Sequence, residues 1–184
     1  MPAVRLMRQT ATFLLCSSLC TLATMSAVQA APSALAVKAA LLFKLPRFVY
    51  LPYLEDNAPL TLCILDSNPF GQALQTLAQT PVDGRTVQLH MPHSTSDAQA
   101  CNLAFLPDST NARNTLPTRL QALAAYPMLT VSDIPGFAQA GGMVELADHP
   151  ENQGKVQIVI NQSAAASQGI RFNAQLLRLA TLLP

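Results

Sequence analysis

Charge is scarce in this chain. Asp, Glu, Lys and Arg make up 11% of its 184 residues, with eleven basic side chains against ten acidic ones. Such a surface lacks the basic stripe that nucleic acid selects for. It also lacks the positive patch that docks on anionic lipid. Local catalytic signatures are missing as well: there is no G-x-S-x-G elbow, no H-E-x-x-H helix, no P-loop and no G-x-G-x-x-G. The acidic residues are scattered, and no pair stands as an acid/base couple. These absences point to a non-enzymatic domain without a cofactor, a dispersed site being the one catalytic alternative. No apolar run reaches the roughly 20 residues that a membrane-spanning helix needs. Cysteine is limited to four residues.

What is present begins with an export segment. Arg5 and Arg8 form a positive n-region, and Ala11 to Met25 form an apolar h-region of about fifteen residues. Val28 and Ala30 stand where a signal peptidase reads small residues, so cleavage is expected after Ala30 and the mature chain is expected in the periplasm. An uncleaved anchor is the alternative, and the short run argues against it. Cys16 and Cys20 each follow a leucine, where a lipoprotein signal wants a small residue, so both leave with the peptide. The remainder, 31–184, is one domain's worth of chain with nine basic and ten acidic residues, a net charge of −1. Cys63 and Cys101 survive. In an oxidising compartment the pair reads first as a disulfide, the alternative being two buried thiols.

Along the mature chain, Ser33 is a candidate N-cap for a helix over Ala34 to Leu45 that Pro46 ends. Apolar residues cover nearly its whole circumference, so two faces should be buried. Leu60 to Leu65 reads as a strand buried on both faces, and Asn68-Pro69 starts a helix with Phe70, Leu74 and Leu77 inward. Thr86 to Leu89 and Cys101 to Leu106 read as strands, with an exposed loop over Pro92 to Gln99 between them. A helix over Leu116 to Ala125 and a strand over Met128 to Val131 follow. Met143 to Ala147 and Lys155 to Asn161 read as an antiparallel hairpin, and Ala174 to Leu183 as a last helix capped by Asn173, with Leu176, Leu179 and Leu183 inward. The order predicts a single α/β domain: a mostly parallel central sheet, helices on both faces, and a C-terminal antiparallel hairpin.

Candidate sites are few. His90 and His93 form an H-x-x-H with no third ligand at a recognisable distance, so they read as loop histidines. Gly141-Gly142 follows a short expected helix (Gly136 to Ala140) and reads as its C-cap or as an anion-binding nest. Asp66 and Asp133 end strands of a presumed parallel sheet, where ligands often bind.

Several segments together resemble the YfiR family of periplasmic regulators. They are KAALLFKLPRFVYLP, LCILDSNPFG, ACNLAFLPDS, PMLTVSDIPGFAQAGGMVEL, KVQIVINQSAA and GIRFNAQLLRLATLL, in order over Lys38 to Leu183. The resemblance implies a sheet-and-helix domain, often dimeric, that binds the periplasmic part of an inner-membrane diguanylate cyclase. Binding holds the cyclase inactive and so limits cyclic di-GMP and biofilm formation. An OmpA-like outer-membrane lipoprotein that sequesters the repressor is the further partner it implies. Cys63 and Cys101 fall on the family's disulfide positions. No cysteine follows Cys101, where well-known members carry a second pair, and Leu51-Pro52 stands where the family usually has Trp-Pro.

Shape rather than chemistry is then the expected means of action. The first helix and the hairpin Met143–Asn161 are the candidate partner face, with surface-facing Phe43 and Phe48, and with Met143 and Val159; the alternative is that both elements are simply core. A small-molecule sensor is the competing reading, with a crevice formed by Asp66, Asp133, Gly141 and Gly142.

Overall fold

The computed structural model describes residues 32–183 except 150 and 153, so the expected export segment and cleavage site lie outside the described residues. In chain order the elements are α1 Ala34–Lys44, β1 Val49–Tyr50, β2 Leu60–Ile64, α2 Gln72–Ala78, β3 Val87–His90, β4 Leu103–Leu106 and α3 Thr110–Leu123. They continue with β5 Leu129–Ser132, β6 Val144–Asp148, β7 Val156–Asn161, α4 Gln162–Ser167, β8 Arg171–Phe172, α5 Ala174–Leu179 and β9 Thr181–Leu183. Single 3₁₀ segments run over Leu45–Phe48 and Thr95–Ala100.

The main sheet has the order β3-β2-β4-β5-β6-β7-β9, and β1 pairs β8 in a separate two-stranded ribbon. Only β6 and β7 are antiparallel neighbours in the main sheet; its other adjacent pairs are parallel. Continuous apolar runs such as Leu60–Ile64 and Leu103–Leu106 produce this, because a parallel strand covered on both faces has no wet side. Alternate residues feed two cores. Leu62, Ile64, Leu103, Phe105 and Val131 pack with Phe43 of α1, Leu74 of α2 and Ala165 of α4. Cys63, Leu65, Ala104 and Leu106 pack on the other face with Ala112, Leu116 and Leu123 of α3. The predicted α/β architecture is the one observed.

Capping chemistry places the helices. Ser33, Ser109, Asn161 and Asn173 each accept a backbone N–H of the following first turn, starting α1, α3, α4 and α5. Because Ser109 caps α3, that helix starts at Thr110, earlier than expected, and carries Pro117 in its interior. On α1 only one face is covered: Lys38, Ala39, Leu42 and Phe43 are buried while Leu35 is 42% exposed. The small alanines that widen its apolar circumference hide little surface, so the two-face expectation is corrected.

Three further expectations change. The last helix stops at Leu179, and Thr181–Leu183 becomes β9, parallel to β7. A six-residue helix gains little from propagation, whereas the open edge of β7 offers a row of backbone partners. Leu179 is therefore 74% exposed instead of inward. The hairpin β6–β7 is interior to the sheet, flanked by β5 and β9. Residues 136–140 form turns rather than a regular helix.

Candidate functional site

A charged network crosses the carboxyl ends of the parallel strands. Lys38 is the only charge inside the buried stripe of α1, and its ammonium needs a partner. It reaches Asp133 Oδ2 at 3.2 Å, just past β5, and Asp148 Oδ1 at 3.0 Å, at the end of β6. Burial by itself would push the Lys38 ammonium down. The hydrogen bond Lys38 donates to Asp148 and the charge of Asp133 outweigh it and hold the group above the usual lysine range. Asp133 Oδ1 also accepts the Asp108 N–H at 2.8 Å. Arg113 pairs with the Asp108 carboxylate, and that hydrogen bond holds Asp108 below the usual carboxylate range. Asp133 therefore acts as a clamp joining α1 to the β4 and β5 ends.

Asp66 lies elsewhere on the same edge. It follows β2 with a φ of 62°, a left-handed conformation that aspartate tolerates better than most residues. Its Oδ2 accepts Arg119 Nη1 of α3 at 2.7 Å. The two line a cavity of about 250 Å³ with Pro92, His93, Ser94 and Thr95. Arg119 was not singled out from sequence; its only trace there is a place on the polar face of α3.

Gly141 and Gly142 lie at the opposite end of the sheet. The β5-to-β6 connection runs back to the amino ends, and Met143 N–H reaches Thr130 Oγ1 near the start of β5. The expected four-residue crevice is thus not a single site: crossover topology separates its members. Gly141 takes a φ of 108°, and the Gly142 N–H donates to the Phe137 carbonyl at 3.0 Å, closing the turn. With the Gly141 N–H donated to Ala138 as well, both amides are engaged within the chain. A Cβ at Gly142 would lie 2.0 Å from the Phe137 ring, so this glycine answers to close packing. Below it, the buried Glu145 carboxylate accepts the Gly136 and Ala138 N–H groups at 3.1 Å each.

The partner-face residues also separate. Phe43 is 2% exposed and Met143 6% exposed, both in the core, so the surface-facing reading of Phe43 is corrected. On α1 the largest side chain turns to the sheet with Ala39, while Ala36 and Ala40 face outward. Val159 pairs with Glu145 on one side and Thr181 on the other. Val159 and Phe48 are both half-buried, Phe48 beside the β1–β8 ribbon. There Val49 pairs with Phe172 and Tyr50 with Arg171. Tyr50 is 54% exposed, and the Arg171 guanidinium lies 4.6 Å from its ring centroid.

Cys63 and Cys101 form a disulfide with Cα atoms 5.8 Å apart, tying β2 to the residue that leads into β4. Among the described residues no helix is long and apolar enough to cross a membrane, and no cluster of three or more His, Cys, Asp or Glu could hold a metal ion.

Comparison with known proteins fixes the relationship. Residues 35–181 match the YfiR/HmsC-like family. The chain belongs to that family. The YfiR/HmsC-like proteins are periplasmic regulators and not enzymes as a family. No curated protein matches the chain. Among solved structures, it is similar to an ABC domain from Streptococcus pneumonia in complex with L-Trp, with a TM-score of 0.55 and 13% identity, covering 82% of this chain and 61% of that one. A conserved domain protein from Vibrio cholerae O1 biovar El Tor has the same TM-score, 0.55, and 13% identity, covering 82% and 60%. CD0873, a substrate binding protein with adhesive properties from Clostridium difficile, has a TM-score of 0.50 and 10% identity, covering 67% and 54%. The chain spans about 60% of the length of the first two. At these identities the likeness is one of fold.

Proposed function

We propose that this YfiR/HmsC-like protein is an exported repressor that binds the periplasmic part of an inner-membrane diguanylate cyclase and restrains cyclic di-GMP synthesis. Family membership over 35–181 carries the reading. Export follows from the segment ending at Ala30, and an OmpA-like lipoprotein that sequesters the repressor, and homodimerisation, belong to the same proposal. The docking surface is the β1–β8 ribbon with Phe48. Tyrosine and arginine are the side chains that most often anchor interfaces, because they offer large contact area with a polar tip. An exposed tyrosine already ordered by an arginine loses little side-chain freedom on binding.

The test is a pull-down with the protein as bait from a periplasm-plus-membrane extract, alongside cyclic di-GMP measured in a strain lacking the gene. Recovery of a cyclase, together with a rise of cyclic di-GMP in the deletion strain, supports the reading. Tyr50→Ala and Arg171→Ala should then abolish recovery while leaving the melting curve in place. A deletion strain with unchanged cyclic di-GMP refutes the repressor role, and wild-type recovery by both variants refutes the surface.

A further inference from the structure

We infer that the cavity between Asp66, Arg119 and the segment after β3 is a binding site for a small oxyanion, a carboxylate or a phosphate carried on a compact solute. The proposal concerns a different face from the ribbon and does not rest on the identity of any protein partner.

Topology brings the site together. In the order β3-β2-β4-β5-β6, the chain crosses from β2 outward to β3 and from β4 the other way to β5. Neighbouring loops therefore part company above β2 and β4, and open α/β sheets bind ligands in the crevice that this reversal leaves at the carboxyl ends. Asp66 comes from the β2 side of the reversal and Arg119 from α3, which follows β4. The 92–95 segment, which follows β3, forms the remaining wall.

The chemistry is that of a fixed guanidinium. Arg119 has 17% of its side chain exposed, compared with 56% for Arg113 on the same helix. Its Nε donates to Thr115 Oγ1 at 2.9 Å and its Nη1 to Asp66 Oδ2 at 2.7 Å. Those two bonds hold the plane in place and leave Nη2 with no acceptor among the described residues. A guanidinium held in this way presents its remaining N–H groups as a fork for a planar or tetrahedral oxyanion. His93, Ser94 and Thr95 line the same cavity and bring polar side chains to it, with Ser94 Oγ and Ser96 Oγ hydrogen-bonded to each other at 2.7 Å. The volume of about 250 Å³ lies below the range of drug-sized pockets, so the ligand has few heavy atoms. Asp66 holds the arginine, and its own charge also opposes an incoming anion. It adopts a backbone conformation that costs a non-glycine residue free energy, as positions at functional sites often do.

The two roles of Asp66 and Arg119 give a test with opposite signs. Purified protein expressed from the full sequence is titrated with inorganic phosphate and, separately, with succinate at constant ionic strength, following backbone amide shifts by NMR. A saturable shift confined to 65–66 and 93–95 is expected with at least one anion, and whichever saturates names the source. Arg119→Gln should weaken binding about tenfold or more, by loss of the charged fork. Asp66→Asn keeps an acceptor for Arg119 while removing the opposing charge, and should tighten binding several-fold. Should Arg119→Gln fail to fold, the exposed His93→Ala, which can only weaken binding, decides together with Asp66→Asn. No saturable shift with either anion up to about 20 mM overturns the proposal, since weaker binding is no specific site. Unchanged affinity in a folded Arg119→Gln, or weaker binding by Asp66→Asn, overturns it equally.

Discussion

Replacing Lys38 with methionine tests the account of how α1 is held. The side chain is 8% exposed and bridges Asp133, 13% exposed, and Asp148, 71% exposed. Methionine fills the volume of the aliphatic stem, so little packing is lost and the change isolates the charge. Removal leaves the Asp133 carboxylate in a largely buried site with one remaining backbone N–H, from Asp108. Breaking a buried pair from one side costs about 3–5 kcal/mol. Asp133 keeps some contact with water, so about 3 kcal/mol, the lower end, is expected. In a domain of this size that corresponds to a fall of about 6–12 °C in Tm. The two carboxylates should not be equivalent. Asp148→Asn removes an exposed partner and should cost less than about 1 kcal/mol. Asp133→Asn leaves the ammonium with only its exposed partner and should cost clearly more. Combining Lys38→Met with Asp133→Asn should recover part of the loss, because no uncompensated charge then remains. Urea denaturation of the oxidised protein measures all four. A Lys38→Met variant within about 0.5 kcal/mol of wild type would refute the reasoning, as would equal costs at Asp133 and Asp148. The raised Lys38 pKa also fixes a sign: its contribution is complete at neutral pH and is lost as pH rises through the folded value, above the usual lysine range.

Removing the disulfide by Cys63→Ala with Cys101→Ala frees a loop spanning 38 residues and should cost about 4 kcal/mol on the chain-entropy account; equal urea midpoints for the variant and the oxidised protein would contradict it. Gly142→Ala places a methyl 2.0 Å from the ring of Phe137, which is fully buried and cannot swing away, so a loss of at least about 3 kcal/mol is expected. Gly141→Ala meets open space and only a backbone penalty, so thermal melts should rank it as the milder change. The Arg113 hydrogen bond lowers the Asp108 pKa, so its stabilisation is present above the usual carboxylate value and lost as pH falls through the folded one. Arg113→Gln should therefore flatten the acid limb of the stability curve and leave the alkaline limb in place. A parallel shift of the whole curve would contradict that origin.

Much of the architecture was legible because burial and capping leave local traces. Continuous apolar runs bounded by Asp66 and by Pro107-Asp108 marked parallel strands, and Ser33 and Asn173 marked helix starts with their side chains. The cysteine pair could be read from the compartment, and the order of several segments pointed to the family that residues 35–181 confirm. At the C-terminal end Thr181–Leu183 misled, since a short leucine-rich run satisfies helix and strand periodicity alike and the vacant edge of β7 decides between them. Phe43 misled for a related reason: an apolar circumference does not say which side meets the sheet.

What sequence could not reach is any group whose partner lies far along the chain. Arg119 meets Asp66 across 53 positions, Lys38 meets Asp133 across 95, and Tyr50 meets Arg171 through an antiparallel ribbon. Each residue looks like an ordinary surface group until crossover topology sets it beside its partner, because a charge pair needs proximity in space and carries no period along the chain. The sequence by itself determined the α/β class, the disulfide pair and the family. Tertiary structure alone decided which polar residues share an edge, which glycine packs against a ring, and which apolar side chains are left to face water.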